Sequence, residues 1–124
     1  MKTSAKLLED SLLVIWNDRN ADSRLEVMKE IYDPEIVFYE SNDGQAITGY
    51  EAINDVISAL QAQWPLEFMF ELTSPAKANH QIQHIGWNLG IPGQPPAASG
   101  MDVALIENHK IKSLFLFLNL PENK

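Results

Sequence analysis

The stretch at residues 97–120, AASGMDVALIENHKIKSLFLFLNL, predicts a β-hairpin that decides the fold class of the chain. Two runs rich in Val, Leu, Ile and Phe, 100–107 and 110–119, flank the polar pair Asn108-His109. Asn tolerates the positive φ that a two-residue hairpin turn requires, so this pair is the predicted turn.

The second strand of this hairpin is apolar on both faces. Leu114, Leu116 and Leu118 alternate with Phe115 and Phe117, and successive side chains of a strand point to opposite faces. Both faces of the sheet must therefore be covered. Helices are expected on the leucine face and something else on the phenylalanine face.

Composition restricts the class of protein. A chain of 124 residues fits one domain. A net charge of −8 argues against a nucleic-acid partner, which requires clustered Lys and Arg. The absence of Cys excludes disulfides and thiolate metal sites. No apolar run approaches the ~18 residues of a membrane span, so we expect a cytoplasmic protein with no membrane partner.

Three helical patterns occupy the first half of the chain. Apolar residues recur at helical spacing over residues 6–18, again after a polar break at 20–23, and over 50–64. The second helix is expected to end at Asp33-Pro34, because the residue before a proline is pushed out of the α region.

The remaining segments predict strands and turns. Strands are expected at 35–40, 67–73 and 79–89, ahead of the closing hairpin, and loops at 41–49, 74–78 and 90–96. The resulting order, α-α-β-α-β-β-β-β, is typical of an α+β domain. Gly49 is expected to precede the third helix in a conformation that disfavours a side chain.

Several stretches resemble the nuclear-transport-factor-2-like superfamily, which includes the ketosteroid isomerases and the SnoaL-like polyketide cyclases. They are Trp16-Asn17 followed by Asp22, IYDPEIVFYE at 31–40, TGYEAI at 48–53, and Gly100-Met101-Asp102. The resemblance implies three N-terminal helices packed in the concave face of a curved, mostly antiparallel sheet. It also implies a hydrophobic binding cavity inside this cone-shaped α+β barrel.

The resemblance further implies roles for individual residues. The ketosteroid isomerase pattern puts Glu40 at the general base and Asp102 at the protonated aspartate of the oxyanion hole. Trp16 takes the place of the oxyanion-hole tyrosine and offers an indole N–H instead of a phenol. The epoxide-hydrolase branch is less similar, because neither Arg19 nor Arg24 can be assigned to its Asp-Arg-Asp constellation.

The residues themselves support an acid in a pocket. Asp102 and Glu40 each share a strand face with small or apolar neighbours. Burial disfavours a charged carboxylate, so the pKa of each is expected to rise. Small neighbours of Asp102, such as Gly100, should leave room for a ligand. In the alternative interpretation, Glu40 turns to solvent and Asp102 binds a backbone amide.

Further contacts follow from the strand faces. The predicted ligand-binding residues are Trp16, Phe38, Gln83, Trp87 and Leu116. The three tryptophans are expected to be core residues, of which one or two line the cavity. His80 and His84 would lie roughly 13 Å apart on a strand, too far apart for one metal ion. No Gly-rich phosphate loop or nucleophile motif is present, so no cofactor is predicted.

Three functions fit these residues. The first is an isomerase or cyclase that abstracts a proton beside the carbonyl of a small apolar compound, with Glu40 as base and Asp102 stabilising the enolate. The second is a binding module with the same cavity and no turnover. The third is an interaction domain whose cavity is filled by its own side chains. The first two differ in whether both carboxyl groups reach one void.

The outer sheet face predicts an assembly. Phe115 and Phe117, with Met101, Val103 and Leu105 on the neighbouring strand, would form an uncovered apolar patch. Such patches mark partner surfaces, and the simplest partner is a second copy. We therefore expect a homodimer, with loop 90–96 at either the pocket rim or the interface.

Overall fold

The computed structural model describes residues 5–119, which form three helical segments and one seven-stranded sheet. The helices are α1 (Ala5–Asp10), which continues as a π-helix (Ser11–Trp16), α2 (Ala21–Ile31) and α3 (Tyr50–Gln61). The strands are β1 (Tyr32–Tyr39), β2 (Ile47–Thr48), β3 (Met69–Leu72), β4 (Lys77–Asn79), β5 (Ile82–Gly90), β6 (Ala98–Glu107) and β7 (Lys110–Asn119).

The sheet order is β2-β1-β7-β6-β5-β3, with β4 also paired to β5. Every described pair is antiparallel except the parallel pair β1–β7. The helices pack against one side of this open sheet, which confirms the predicted α+β class. Among residues 5–119, no helix has the length and apolar character needed to cross a lipid bilayer.

The closing hairpin forms as predicted. Its turn residues Asn108 and His109 have φ values of 52° and 64°, as a two-residue hairpin turn requires. On β7 the leucine face points inward, and Leu114 is only 1% exposed. Burial of this face decreases along the strand, since Leu116 is half-buried and Leu118 is 49% exposed.

A β-bulge interrupts the ladder near this turn. Leu105 pairs with Ser113 but Ile106 pairs with Ile111, so Lys112 is the extra residue on β7. Because of the bulge, Ile111 has the same inward orientation as Leu114, three residues further on, and both are buried.

The first helix differs from the prediction of one regular helix over residues 6–18. It ends at Trp16, and its second half is a π-helix, in which hydrogen bonds join residues five apart. Ser11 and Trp16, five residues apart, therefore lie more nearly on one face than they would in an α-helix. Both reach the hydroxyl of Tyr32.

The boundary between α2 and β1 was predicted wrongly. The helix ends at Ile31 rather than at Asp33-Pro34, and the strand starts at Tyr32 and stops before Glu40. Pro34 is tolerated inside β1 because the pairing of β1 with β7 shifts register between Tyr32 and Val37.

Other boundaries also moved. The third helix ends at Gln61, three residues before the predicted end. The short strand β2 and the first two residues of β4 lie in segments predicted as loops. The predicted strand at 79–89 is divided by a turn at His80, whose φ of 56° is incompatible with an extended strand. The expectation for Gly49 is confirmed, since its φ is 92° at the N-cap of α3.

One buried arginine joins α2 to α3. Arg24 is 1% exposed, and its guanidinium donates to the side chains of Asn54, Ser58 and Gln61. It also donates to the backbone carbonyls of Asp18 and Asn54. These contacts lie in the helical layer, away from the inner face of the sheet.

Candidate functional site

A pocket of about 240 Å³ lies where the inner face of the sheet meets the π-helix and the end of α3. Helical residues and those just after α3 contribute one part of the lining: Leu12, Trp16, Leu60 and Trp64. The sheet side contributes the other part: Phe38, Glu40, Phe70, Trp87, Leu89, Ala98, Asp102, Leu116 and Leu118. The lining is therefore almost entirely aromatic and aliphatic, with two carboxyl groups.

The structure brings all but one of the predicted site residues to this pocket. Glu40, Asp102, Trp16, Phe38, Trp87 and Leu116 line it. Gln83 does not, although it points to the same side of β5 as Trp87. It is 1% exposed, and its Oε1 accepts a hydrogen bond from the backbone N–H of Leu8 at 3.3 Å. Its role as a ligand contact stays a prediction, and in this structure the side chain joins α1 to the sheet.

Asp102 is the buried acid of the pocket, with 8% of its surface exposed. Its Oδ1 accepts a hydrogen bond from the indole Nε1 of Trp87 at 3.0 Å. Burial raises the pKa of the Asp102 carboxyl to about 7, and the hydrogen bond from Trp87 partly opposes this rise. The rise was predicted, whereas the alternative of a backbone amide partner is wrong.

Gly100 is what allows this hydrogen bond. Trp87 pairs with Gly100 across the β5–β6 ladder, and Asp102 is the diagonal neighbour, within reach of an indole. A Cβ on Gly100 would lie 2.6 Å from Cζ2 of Trp87 and 2.8 Å from the carbonyl oxygen of Phe117. The space directly over Gly100 is thus filled by the indole ring, whereas Asp102 still lines the pocket.

Trp16 presents a ring to the pocket and not its N–H. Its Nε1 donates to the hydroxyl of Tyr32 at 3.3 Å, and that hydroxyl lies 2.6 Å from Oγ of Ser11. Burial raises the pKa of Tyr32 to about 12. The indole N–H expected to stabilise an enolate is therefore already bound within the protein.

Aromatic rings form a connected wall. Phe70 contacts Trp16, Trp64 and Trp87 edge to face, with centroid distances of 6.2, 5.6 and 5.1 Å. Phe38 contacts Trp16 in the same manner at 5.5 Å. All three tryptophans line the pocket, more than the one or two expected.

Sequence reasoning missed Phe70 as a site residue, and it included Trp64 only as one of three tryptophans of which one or two would line the cavity. The alternation of Phe68, Phe70 and Leu72 could have placed Phe70 on the inner face, but strand alternation does not say which inward residue meets a void. Trp64 follows the end of α3, where helical spacing no longer predicts orientation.

Glu40 lies just beyond β1 and is exposed, while still contributing to the pocket lining. It therefore stands at the mouth, with Asp102 deeper inside. Within residues 5–119, no three His, Asp or Glu side chains come together in a way that could hold a metal ion.

No protein-family model matches the sequence, and no curated protein matches it significantly. Solved structures, in contrast, match the fold over nearly the whole chain. A proposed isomerase of the SnoaL-like family from Agrobacterium tumefaciens superposes with a TM-score of 0.82 at 18% identity, covering 95% of this chain and 99% of that one.

Two more structures show the same similarity. A proposed SnoaL-like polyketide cyclase from Jannaschia sp. CCS1 gives a TM-score of 0.74 at 13% identity, over 94% of this chain and 85% of that one. A protein of ketosteroid isomerase-like fold from Catenulispora acidiphila, in complex with trimethylamine, gives 0.73 at 16% identity, over 95% and 88%. The chain therefore has the nuclear-transport-factor-2-like fold that its sequence resemblance predicted.

Proposed function

We propose that the chain binds a small, largely apolar molecule in this pocket, with Asp102 as its polar contact. The observation that carries the proposal is the incomplete hydrogen bonding of that carboxyl group. Trp87 satisfies Oδ1, while Oδ2 has no hydrogen-bond partner among residues 5–119. Oδ2 is not among the fully buried side-chain atoms that lack a partner, so it keeps some exposed surface at the pocket and is open to a ligand that can form a hydrogen bond with it.

The size of the pocket limits the ligand. An apolar cavity of about 150 Å³ holds benzene, so about 240 Å³ suits a compound of one or two rings. The fold of the chain is that of proteins described as a SnoaL-like isomerase and a polyketide cyclase, and a protein of ketosteroid isomerase-like fold was crystallised with trimethylamine.

Tryptophan fluorescence tests the binding directly, because the three tryptophans of the chain all line the pocket. Titration with one- and two-ring ketones and alcohols should change the emission saturably. Ala98→Leu, which fills the pocket, should weaken binding at least about tenfold, whereas Ala59→Leu on the exposed side of α3 should not. Unchanged emission with every compound, or equal binding by both variants, would contradict the proposal.

An isomerase is the second candidate, favoured by the presence of Glu40 and Asp102 in one pocket. Glu40 would take a proton from the carbon beside a carbonyl, which breaks the C–H bond and moves its electron pair toward the oxygen. Neutral Asp102 would donate a hydrogen bond to the resulting enolate. Glu40 would then return the proton to another carbon, with no cofactor required.

Deuterium exchange separates this candidate from binding alone. In D₂O, a catalytic pocket should exchange the protons beside the carbonyl of a bound ketone, as NMR would detect. Glu40→Gln should abolish the exchange while the ketone still binds. Exchange no faster than in buffer, with binding intact, would leave only the binding function.

A second copy of this chain is the proposed partner of the outer sheet face. On that face Phe117 is 56% exposed and Met101 is 41% exposed, and they pair across β7 and β6. Beside them Tyr39 stacks on Phe115 with centroids 4.8 Å apart. An exposed apolar patch of this kind is self-complementary about a two-fold axis.

Phe117→Glu should break this dimer. Two charges would then face each other near the axis, so light scattering should report one 14.0 kDa chain where the wild type gives twice that mass. Ala78→Glu, which introduces the same single negative charge on the exposed short strand β4, should leave the mass unchanged. A wild-type monomer at micromolar concentration would contradict the proposed dimer.

Two further expectations stay predictions. The net charge of −8 supports the absence of a nucleic-acid partner, which a mobility-shift assay at low salt would check. Cell fractionation would check the predicted location in the cytoplasm.

A further inference from the structure

We infer that the pocket selects a small organic cation, held by its aromatic wall and by the carboxyl group of Asp102. This inference rests on the proposed binding function and specifies the chemical class of the ligand. It differs from the carbonyl compound of the isomerase hypothesis, because a cation pairs with ionised Asp102 and a carbonyl oxygen needs the neutral form.

The first argument is the wall itself. Trp16, Trp64 and Trp87 line the pocket together with Phe38 and Phe70. The face of an aromatic ring carries negative charge density and attracts a cation within about 6 Å, most strongly for tryptophan. The edge-to-face contacts among these rings hold them in place, so a cation would meet a preformed set of ring surfaces.

The second argument is the balance of donors and acceptors. Two carboxyl groups line the pocket, and no Lys, Arg or His does so among residues 5–119. The indole N–H groups of Trp16 and Trp87 are bound to Tyr32 and Asp102. Trp64 is left as the lining residue whose indole N–H has no acceptor in the described chain. An oxyanion or carboxylate ligand would therefore meet acceptors and few donors.

The third argument is electrostatic. The chain carries a net charge of −8, and a pocket lined by one sign of charge concentrates ligands of the opposite sign. Arg24, the described cation buried most deeply, does not line the pocket and binds oxygens in the helical layer. Nothing cationic in residues 5–119 thus competes for Asp102.

Binding should depend on pH through Asp102. Its neighbours on β5, β7 and the π-helix, Trp87, Leu116 and Trp16, do not titrate. Glu40 stands at the mouth, and Tyr32 of β1 lies behind Trp16 and remains neutral because its pKa is raised to about 12. Because burial raises the pKa of Asp102 to about 7, a cation should bind more tightly above this pH than below it.

Choline and 3,3-dimethylbutan-1-ol provide the test, since they share one shape and differ by one positive charge. Both should be titrated against the full chain by tryptophan fluorescence between pH 5.5 and 8.5. We expect choline to bind at least about tenfold more tightly than the alcohol at pH 8.5. This preference should shrink toward pH 5.5, and affinity for the alcohol should not change.

Variants separate the role of Asp102 from folding. Asp102→Asn should lose the preference for choline and keep its affinity for the alcohol, which an unfolded protein could not do. Glu51→Gln, an exposed change on α3 outside the pocket lining, should leave the preference unchanged. Equal binding of both compounds, or tighter binding of the alcohol, would contradict the inference that the pocket selects a cation. The proposed binding function would not be affected. If no cationic or neutral compound changes the emission, the binding function fails as well.

Discussion

Two buried ionisable side chains of this domain differ in how completely they are hydrogen-bonded. Arg24, between α2 and α3, has five N–H groups and five oxygen acceptors, all of them uncharged. Asp102, at the pocket, receives one hydrogen bond, from Trp87. The first site is complete without any other molecule, whereas the second is not.

The physical consequences differ accordingly. Burial lowers the pKa of the Arg24 guanidinium, yet a guanidinium stays charged in proteins and every donor is satisfied. Burial raises the pKa of Asp102 to about 7, because one indole N–H does not replace the lost water. A complete site favours a structural role and an incomplete one favours a functional role. Buried charge by itself therefore does not identify a binding site.

Removing the hydrogen-bond network of Arg24 should have the largest effect on stability. Arg24→Ala leaves the buried acceptors of Asn54 and Gln61 unpaired, and each buried unpaired acceptor costs roughly 1–3 kcal/mol. We expect a loss of about 4 kcal/mol in the free energy of unfolding, measured by urea denaturation. Arg19→Ala is the matched control, because this exposed arginine binds only the carbonyls of Gln61 and Pro65. Its loss should stay below about 1 kcal/mol, and equal losses would remove the contrast.

Replacing Asp102 by a neutral side chain should change the stability in the opposite direction. The folded pKa of Asp102 lies above its unfolded value of 3.8, so ionisation destabilises the fold as pH rises from about 4 to 7. At about 1.4 kcal/mol per pKa unit, the penalty at neutral pH is roughly 4 kcal/mol. Asp102→Asn should therefore be more stable than wild type at pH 8 by up to that amount.

At pH 4 the same variant should match the wild type, since Asp102 is already neutral there. Thermal melts at both pH values check this. A destabilised Asp102→Asn at pH 8 would mean that the carboxylate has partners absent from the structure.

A smaller effect is expected at Gly100. Gly100→Ala places a methyl group against Trp87 and the carbonyl of Phe117, and overpacking of this kind costs roughly 1–3 kcal/mol. The displaced indole should also weaken its hydrogen bond to Asp102. Gly86→Ala on β5 is the control, because its Cβ would meet only the hydroxyl of Thr73, which can rotate away. Equal stability of both variants, measured by thermal denaturation, would contradict the close packing at Gly100.

The fold was predictable where local rules decide it. The alternation of Leu114, Leu116 and Leu118 with Phe115 and Phe117 predicted the strand and its two faces. The turn at Asn108-His109 predicted the pairing next to it, as far as the β-bulge at Lys112. The burial of Asp102 was predictable too, because this carboxylate shares a strand face with small and apolar residues.

The hydrogen-bond partners were not predictable from local patterns. Gln83 bonds to Leu8, Trp16 to Tyr32 and Trp87 to Asp102, and each pair joins different elements of the chain. Which polar atom remains available in a pocket depends on such long-range pairs. The π-helix was missed for a related reason. Its five-residue spacing is recognised only in the structure, where Ser11 and Trp16 both contact the hydroxyl of Tyr32.

The most direct test of the account is an NMR titration of the Asp102 side-chain carboxyl carbon in the ligand-free protein. The account predicts a single transition at about pH 7, absent from Asp102→Asn, because burial with one hydrogen bond leaves the carboxylate poorly stabilised. A transition at or below about pH 4, the ordinary value for aspartate, would show that Asp102 is as well satisfied as Arg24. The contrast between the two buried groups, and the pocket function built on it, would then be contradicted.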